Sequence, residues 1–202
     1  MEINKNELKI IEFYRNNLFF SGSIREIMQK LKSKSYQRIY EAVEELIKKK
    51  ILNSKKIGNN RLISLDLSRE TILLFSFMDE KEAYKIPNYS KILDIKEISD
   101  FLILVTGSYA NGTYTKKSDL DLVIVIPDKD DVVYIQKLVE NITMLYTPSI
   151  HLYVFRKKDF VEMLKSKEQT YAKEIVHKKL IIKNARIFYE VLKEAIENGY
   201  KC

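Results

Sequence analysis

The sequence predicts an α/β fold of the α+β kind, with a helical first third followed by a mixed sheet flanked by helices. Three observations carry this reading. Two apolar runs, 101–105 and 120–126, are rich in aliphatic residues and are bounded by Gly107-Ser108 and Pro127, which are the marks of strands. Apolar residues recur at helical spacing before residue 51 and again after residue 130. Charge is also divided: residues 1–67 hold 14 Lys and Arg against 8 Asp and Glu, and the remainder holds 21 against 20. Nearly all of the net charge of +7 therefore belongs to the first third.

Taken in order, a first helix is expected over 4–16. Asn4 is placed to cap it with Glu7 at the capping-box position, and Leu8, Ile11 and Phe13 form an apolar side. Phe19-Phe20-Ser21-Gly22 breaks it. A second helix starts at Ser23, with Glu26 completing the box and Ile24, Ile27, Met28 and Leu31 facing inward. A third starts at Ser35 and carries Ile39, Val43, Leu46 and Ile47. A strand opening at Ile51-Leu52 and another over 62–65 then flank a basic, turn-rich loop over 55–61.

Helix, helix, helix and basic hairpin resembles the winged helix-turn-helix family of DNA-binding domains. The resemblance implies that Tyr36, Gln37 and Arg38, at the start of the third helix, face the major groove. It implies that Lys55, Lys56 and Arg61 meet phosphate or the minor groove. The basic balance agrees with duplex DNA as a partner. A winged helix serving protein contacts is the other reading of the same pattern.

Residues 67–84 are expected to form a connecting helix capped by Ser68, its aromatics packing between domains, and to end at Ile86-Pro87-Asn88. A domain of 1–67, a connection of 68–89 and a domain of 90–202 follow. The second domain begins with a helix over 90–100 and the strand 101–105. Between this strand and the next runs Val105-Thr106-Gly107-Ser108, a polar loop with Gly112, and Asp119-Leu120-Asp121. Alternation along a strand puts Asp119 and Asp121 on one face. Paired carboxylates suit Mg²⁺, which takes oxygen ligands and bridges to phosphates, and the Gly-Ser turn offers N–H groups and a hydroxyl to phosphate.

Gly107-Ser108, ten residues, then Asp119-Leu120-Asp121 resembles the signature of the DNA polymerase β-type nucleotidyltransferase superfamily, closest to its minimal, stand-alone branch. The resemblance implies that Gly107 and Ser108 hold a nucleoside triphosphate and that the two aspartates bind catalytic Mg²⁺. Lys116 and Lys117, in the loop, are candidates to neutralise the triphosphate, ATP among the choices. Tyr109 and Tyr114 either stack on a base or cover the loop. The chain has Asn111 where the family often has arginine, and His151 on the strand 150–155 where the family has a third carboxylate. Histidine can serve as a base but is a poor ligand for Mg²⁺. His151 is thus a base, a nucleotide contact or a strand residue.

The rest reads as a helix over 130–146 (Val133, Leu138, Ile142 and Leu145 inward), helices over 158–164 and 168–177, and an extended piece at 180–182. A last helix follows, capped by Asn184. Asp159 reads as a cap, and His177 as a cation on a helix C-terminus. No apolar run approaches the ~20 residues of a membrane span. The start has no signal-peptide pattern. The single cysteine, Cys202, allows no internal disulfide, so a cytoplasmic protein is expected.

Three functions fit. One is Mg²⁺-dependent transfer of a nucleoside monophosphate to a hydroxyl acceptor, which can be a protein. The second is a transcription regulator whose second domain binds nucleotide or partner without catalysis. The third is an antitoxin-like protein acting on a toxin partner, as some relatives of the minimal branch do. A homodimer is compatible with each.

Overall fold

The structure, a computed structural model, describes residues 2–58 and 60–200, so Cys202 lies outside the described residues. The architecture is mixed α/β with two sheets and ten α-helices among those residues. It divides into two compact units, with the boundary inside one helix between Leu74 and Phe75.

The first unit opens with α1 (Lys5–Asn16), β1 (Ser21–Gly22), α2 (Ile24–Lys30) and α3 (Tyr36–Lys48). Local chemistry starts each helix where the sequence expects it. The Asn4 carboxamide accepts from the N–H groups of Asn6 and Glu7, and Glu7 reaches back to the Asn4 N–H. Ser23 and Glu26 repeat the arrangement at α2, and the Ser35 hydroxyl accepts from the Arg38 N–H at α3. The buried face of α1 differs from expectation. Glu7, Ile10, Ile11 and Tyr14 go inside while Leu8 is exposed, because 7, 10, 11 and 14 lie along one helical stripe and 8 does not. Glu7 is tolerated there through an ion pair with Lys49 at 2.7 Å. The Tyr14 hydroxyl donates to the Ile63 carbonyl at 3.0 Å, and burial pushes this phenol up from its ordinary range.

β2 (Leu52–Ile57) and β3 (Asn60–Leu65) form an antiparallel hairpin, and β1 joins the far side of β3. The expected basic loop over 55–61 is therefore corrected: Lys55 and Lys56 lie in β2, opposite Leu62 and Arg61. A tight turn is the reason. Gly58 holds φ +58, open to glycine at little cost, so pairing extends to Ile57 and Asn60. Asn59 lies outside the described residues.

α4 (Arg69–Glu82) starts where the Ser68 hydroxyl accepts from the Thr71 N–H at 3.2 Å. Its aromatics do not behave alike. Phe75 is buried edge-on against Tyr189, whereas Phe77 is exposed, so the expectation that all pack fails there. The helix expected over 90–100 is two short pieces, α5 (Tyr89–Leu93) and a 3₁₀ turn (Lys96–Ile98), separated by Ile95 in extended conformation.

The second sheet contains β4 (Leu102–Val105), β5 (Leu120–Ile126), β6 (Ile150–Arg156) and β7 (Leu180–Lys183), in the order β6-β5-β4-β7. β4 is antiparallel to both neighbours, while β5 and β6 are parallel. The parallel pair requires a crossover, supplied by α7 (Val132–Thr143). Here the buried stripe is Ile135, Val139 and Thr143. The expected inward residues Val133, Ile142 and Leu145 are exposed, because α7 carries apolar residues on two faces and periodicity alone does not choose between them.

α6 (Gly107–Asn111) replaces the first half of the expected loop. α8 (Lys157–Lys165), α9 (Tyr171–His177) and α10 (Ala185–Glu197) complete the chain. Of two expected caps, Asp159 is corrected, and Asn184 holds the N-cap position of α10 without a side-chain cap hydrogen bond. Asp159 lies within α8, whose second N–H, at Lys158, is taken by Asp128 at 2.8 Å. Asn184 sits in the left-handed region with its amide donating to the carbonyls of Ser99 and Phe101, and Glu80 accepts from the Ala185 N–H. The core beneath the site is aliphatic. Ile103 and Val105 of β4, Leu120, Leu122 and Ile124 of β5, and Leu152 and Val154 of β6 are all buried in it. No helix among the described residues is long and apolar enough to cross a membrane.

Candidate active site

Residues far apart in sequence converge at one end of the second sheet. β4 is buried along its length and delivers Thr106 and Gly107 to that end of the sheet. The Thr106 N–H donates to the Asp121 carbonyl at 3.0 Å, which joins the turn to the start of β5. Gly107 has φ +66, and a Cβ on it would fall 2.1 Å from Asp121 Oδ2. Glycine is required here on both counts: the backbone conformation disfavours a side chain, and the carboxylate occupies the space. Ser108 follows, half-buried, and its carbonyl accepts from the Thr113 N–H at 2.9 Å.

Asp121 is one-quarter exposed and His151 mostly exposed. The two are paired in the parallel ladder of β5 and β6, with His151 Nδ1 at 3.4 Å from Asp121 Oδ1. Burial pushes the Asp121 carboxyl up from its ordinary range; His151 opposes this and the charge of Asp119 adds to it. Asp119 accepts a hydrogen bond from the Ser149 hydroxyl. His151 Nδ1 also lies 3.2 Å from the Tyr153 hydroxyl, and the Tyr153 ring meets Tyr171 with centroids 4.7 Å apart. Burial, with Tyr153 and Asp121 nearby, pushes the Tyr171 phenol up.

Gly107, Asp121, Tyr153 and Tyr171 open onto a cleft of about 400 Å³, lined also by Thr106 and Lys178, while Ser108, Asp119 and His151 are not among its lining residues. Glu174 and His177 also line it. Neither motif spacing nor periodicity points to the wall supplied by α9 and the turn after it. His177, read as a helix-end cation, does end α9 but also faces the cleft. Only the pairing of β7 with β4, a contact distant in sequence, brings this wall over Gly107. Lys116 and Lys117 lie exposed on the loop and are not part of the cleft lining. Tyr109 and Tyr114 stack on each other, centroids 4.5 Å apart, and border a separate hollow with Ile86 and Pro87.

The donor set fits Mg²⁺ when a nucleotide supplies the rest. Among the described residues no group of three or more His, Cys, Asp or Glu side chains is arranged to hold a metal. Mg²⁺, however, is commonly bound by one or two carboxylates together with substrate phosphates and water. Two like charges near each other, one of them raised by burial, are the environment a divalent cation relieves.

The N-terminal candidates are placed as follows. Tyr36 is exposed and lies near Tyr40, centroids 6.2 Å apart, and the Gln37 amide donates to Glu41 at 2.8 Å. Arg38 is exposed beside a hollow shared with Glu41, Glu44 and Glu45. Lys55 and Lys56 are exposed along β2. Arg61 is held by Glu44, and its guanidinium also reaches the Ser54 hydroxyl at 3.4 Å.

A mixed sheet that presents a Gly-Ser turn and a carboxylate pair at one end of its central strands defines a nucleotide-handling α/β domain. The chain belongs to the nucleotidyltransferase domain family, whose sequence model matches residues 86–189. Its general chemistry is accordingly nucleotidyl transfer from a nucleoside triphosphate. No curated protein and no solved structure matches the chain.

Proposed function

We propose that the chain transfers a nucleoside monophosphate from a Mg²⁺-bound triphosphate to a hydroxyl acceptor and releases pyrophosphate. The observation that carries this is the close approach of Gly107 to the Asp121 carboxylate at a cleft both line, with His151 paired to Asp121 in the ladder and Asp119 near enough to influence it. Gly107 and Ser108 cradle phosphate oxygens through backbone N–H groups and the serine hydroxyl. Asp119 and Asp121 would hold the metal, which when bound offsets charge on the phosphates. His151 stands beside Asp121, where the resemblance places a third acid. Its Nδ1 faces Asp121 and the Tyr153 hydroxyl, so Nε2 is the nitrogen that takes the proton of the acceptor hydroxyl.

The test is incubation of the full chain with labelled nucleoside triphosphates, Mg²⁺ and a cell extract. Label is expected on a macromolecule or small hydroxyl compound, with pyrophosphate released in equal amount. Triphosphate binding with no transfer would instead favour the regulator that binds nucleotide without turnover. Label on a protein would narrow the acceptor to the class expected of an antitoxin-like relative.

We further propose that the first unit is a winged helix that binds duplex DNA. The support is its order of three helices and a hairpin, with exposed Tyr36, Gln37 and Arg38 at the start of α3 and exposed Lys55 and Lys56 along β2. Affinity is expected to fall with salt by a log–log slope of about −0.9 per phosphate neutralised. Lys55→Ala and Lys56→Ala should each flatten that slope by about one and weaken all sequences alike. Arg38→Ala should lose discrimination between sequences, by about 1–3 kcal/mol for a bidentate base contact. Glu44 engages Arg61, so Arg61→Ala should change the slope less than either lysine substitution. Fluorescence anisotropy at several salt concentrations measures all four, and no binding at low salt would end the DNA reading.

A further inference from the structure

We infer that Lys178 is the cation that recognises the terminal phosphates of the nucleoside triphosphate, a role the sequence alone directs to Lys116 and Lys117. The inference rests on the nucleotidyl-transfer reading and deepens it. The ladder of β4 and β7 pairs Val105 with Leu180, and continuing this antiparallel register by two residues sets Lys178 opposite Gly107. A tether confirms that the two segments stay together beyond the strand ends: the Thr106 hydroxyl donates to the Lys178 carbonyl at 3.2 Å. Lys178 thus stands across from the glycine that approaches the Asp121 carboxylate, and it lines the same cleft.

Its neighbour is excluded from the role. Lys179 turns elsewhere, donating to the Val176 carbonyl at 3.2 Å and lying over the Phe188 ring at 4.5 Å. Side chains alternate across an extended segment, so one of two successive lysines is committed to packing against α10 and the other faces the cleft. Lys116 and Lys117 ride on a loop that is absent from the cleft lining; Lys178 is exposed as they are, but its backbone is tied to Thr106 at the cleft. The cleft also contains Asp121 and Glu174. A triphosphate entering it meets carboxylates and needs a cation within the lining; an ammonium, as a point charge with three donors, suits phosphate oxygens.

Calorimetry on the full chain with Mg²⁺ and two ligands tests this: a non-hydrolysable nucleoside triphosphate and the corresponding monophosphate. Lys178→Gln is expected to raise Kd for the triphosphate about 10–100-fold, the scale of a hydrogen bond to a charged group. It should leave the monophosphate within about twofold, and Lys178→Arg should restore most of the triphosphate affinity. Lys116→Gln and Lys117→Gln should each change the triphosphate Kd by less than about threefold, as exposed charges outside the cleft do. Unchanged triphosphate affinity in Lys178→Gln, with a wild type that binds, would overturn the assignment and leave the transfer reading standing. Equal losses for both ligands would also overturn it, since they mark a structural defect. A wild type with no triphosphate affinity would overturn both.

Discussion

Asp121→Asn is expected to slow nucleotidyl transfer by about 10³-fold or more while leaving the chain folded. The magnitude follows from the Lewis-acid contribution of a bound cation, several kcal/mol of transition-state stabilisation, with about 1.36 kcal/mol for each factor of ten. Asparagine keeps the shape of the side chain and so keeps its fit against Gly107, but gives up one charged oxygen. The fold should not suffer. Burial already holds the Asp121 carboxyl above its ordinary range, so the charged form is the costly one in the free protein, and a neutral isostere removes that cost. The melting temperature should hold or rise slightly, whereas Mg²⁺-dependent nucleotide affinity should fall. Thermal melting and calorimetry on the same preparation separate the two effects. A variant that binds Mg²⁺ and nucleotide as tightly as the wild type would remove Asp121 from the site.

His151→Ala should lower the chemical step by about 10²–10⁴-fold, the range of general acid–base assistance, with little change in triphosphate affinity. His151 is mostly exposed, and its partners are side chains at the cleft edge, so truncation leaves the core untouched. Single-turnover kinetics under saturating nucleotide isolates the step from binding. His151→Asp should retain more activity than His151→Ala, because a carboxylate beside Asp121 can also accept the acceptor's proton. Equal single-turnover rates for wild type and His151→Ala would show that the histidine is a strand residue and that another group handles the proton.

Much of the site was readable along the chain because its chemistry is local. Asp119 and Asp121 are separated by one strand residue, and Gly107-Ser108 sits at the end of a buried run. Pairing β5 with β6 then sets His151 beside Asp121 in register, at the position where the resemblance puts a third acid. The helix starts at Asn4, Ser23 and Ser35 were equally legible, because a cap is written in four consecutive residues. What failed were choices between equivalent local patterns. α7 has two apolar faces, and only packing against the sheet selects Ile135 and Val139 over Val133 and Ile142. Lys55 and Lys56 became strand because a turn at Gly58 lets pairing run to Ile57 and Asn60, further than composition suggests.

By itself the sequence determined the fold class, the helix caps, and the glycine and carboxylates that make one end of a sheet a place for phosphate and a hard cation. Periodicity and short-range hydrogen bonding are encoded within a few residues, so these features needed no partner to be recognised. Only the tertiary structure decided what closes the cleft. The wall of Tyr171, His177 and Lys178 reaches Gly107 because β7 returns antiparallel to β4, more than seventy residues later in the chain. Neither helical spacing nor strand alternation reports which edge a returning strand joins. That is set by the burial of Ile181 and Ile182 and by the ladder hydrogen bonds β4 leaves open on its free side.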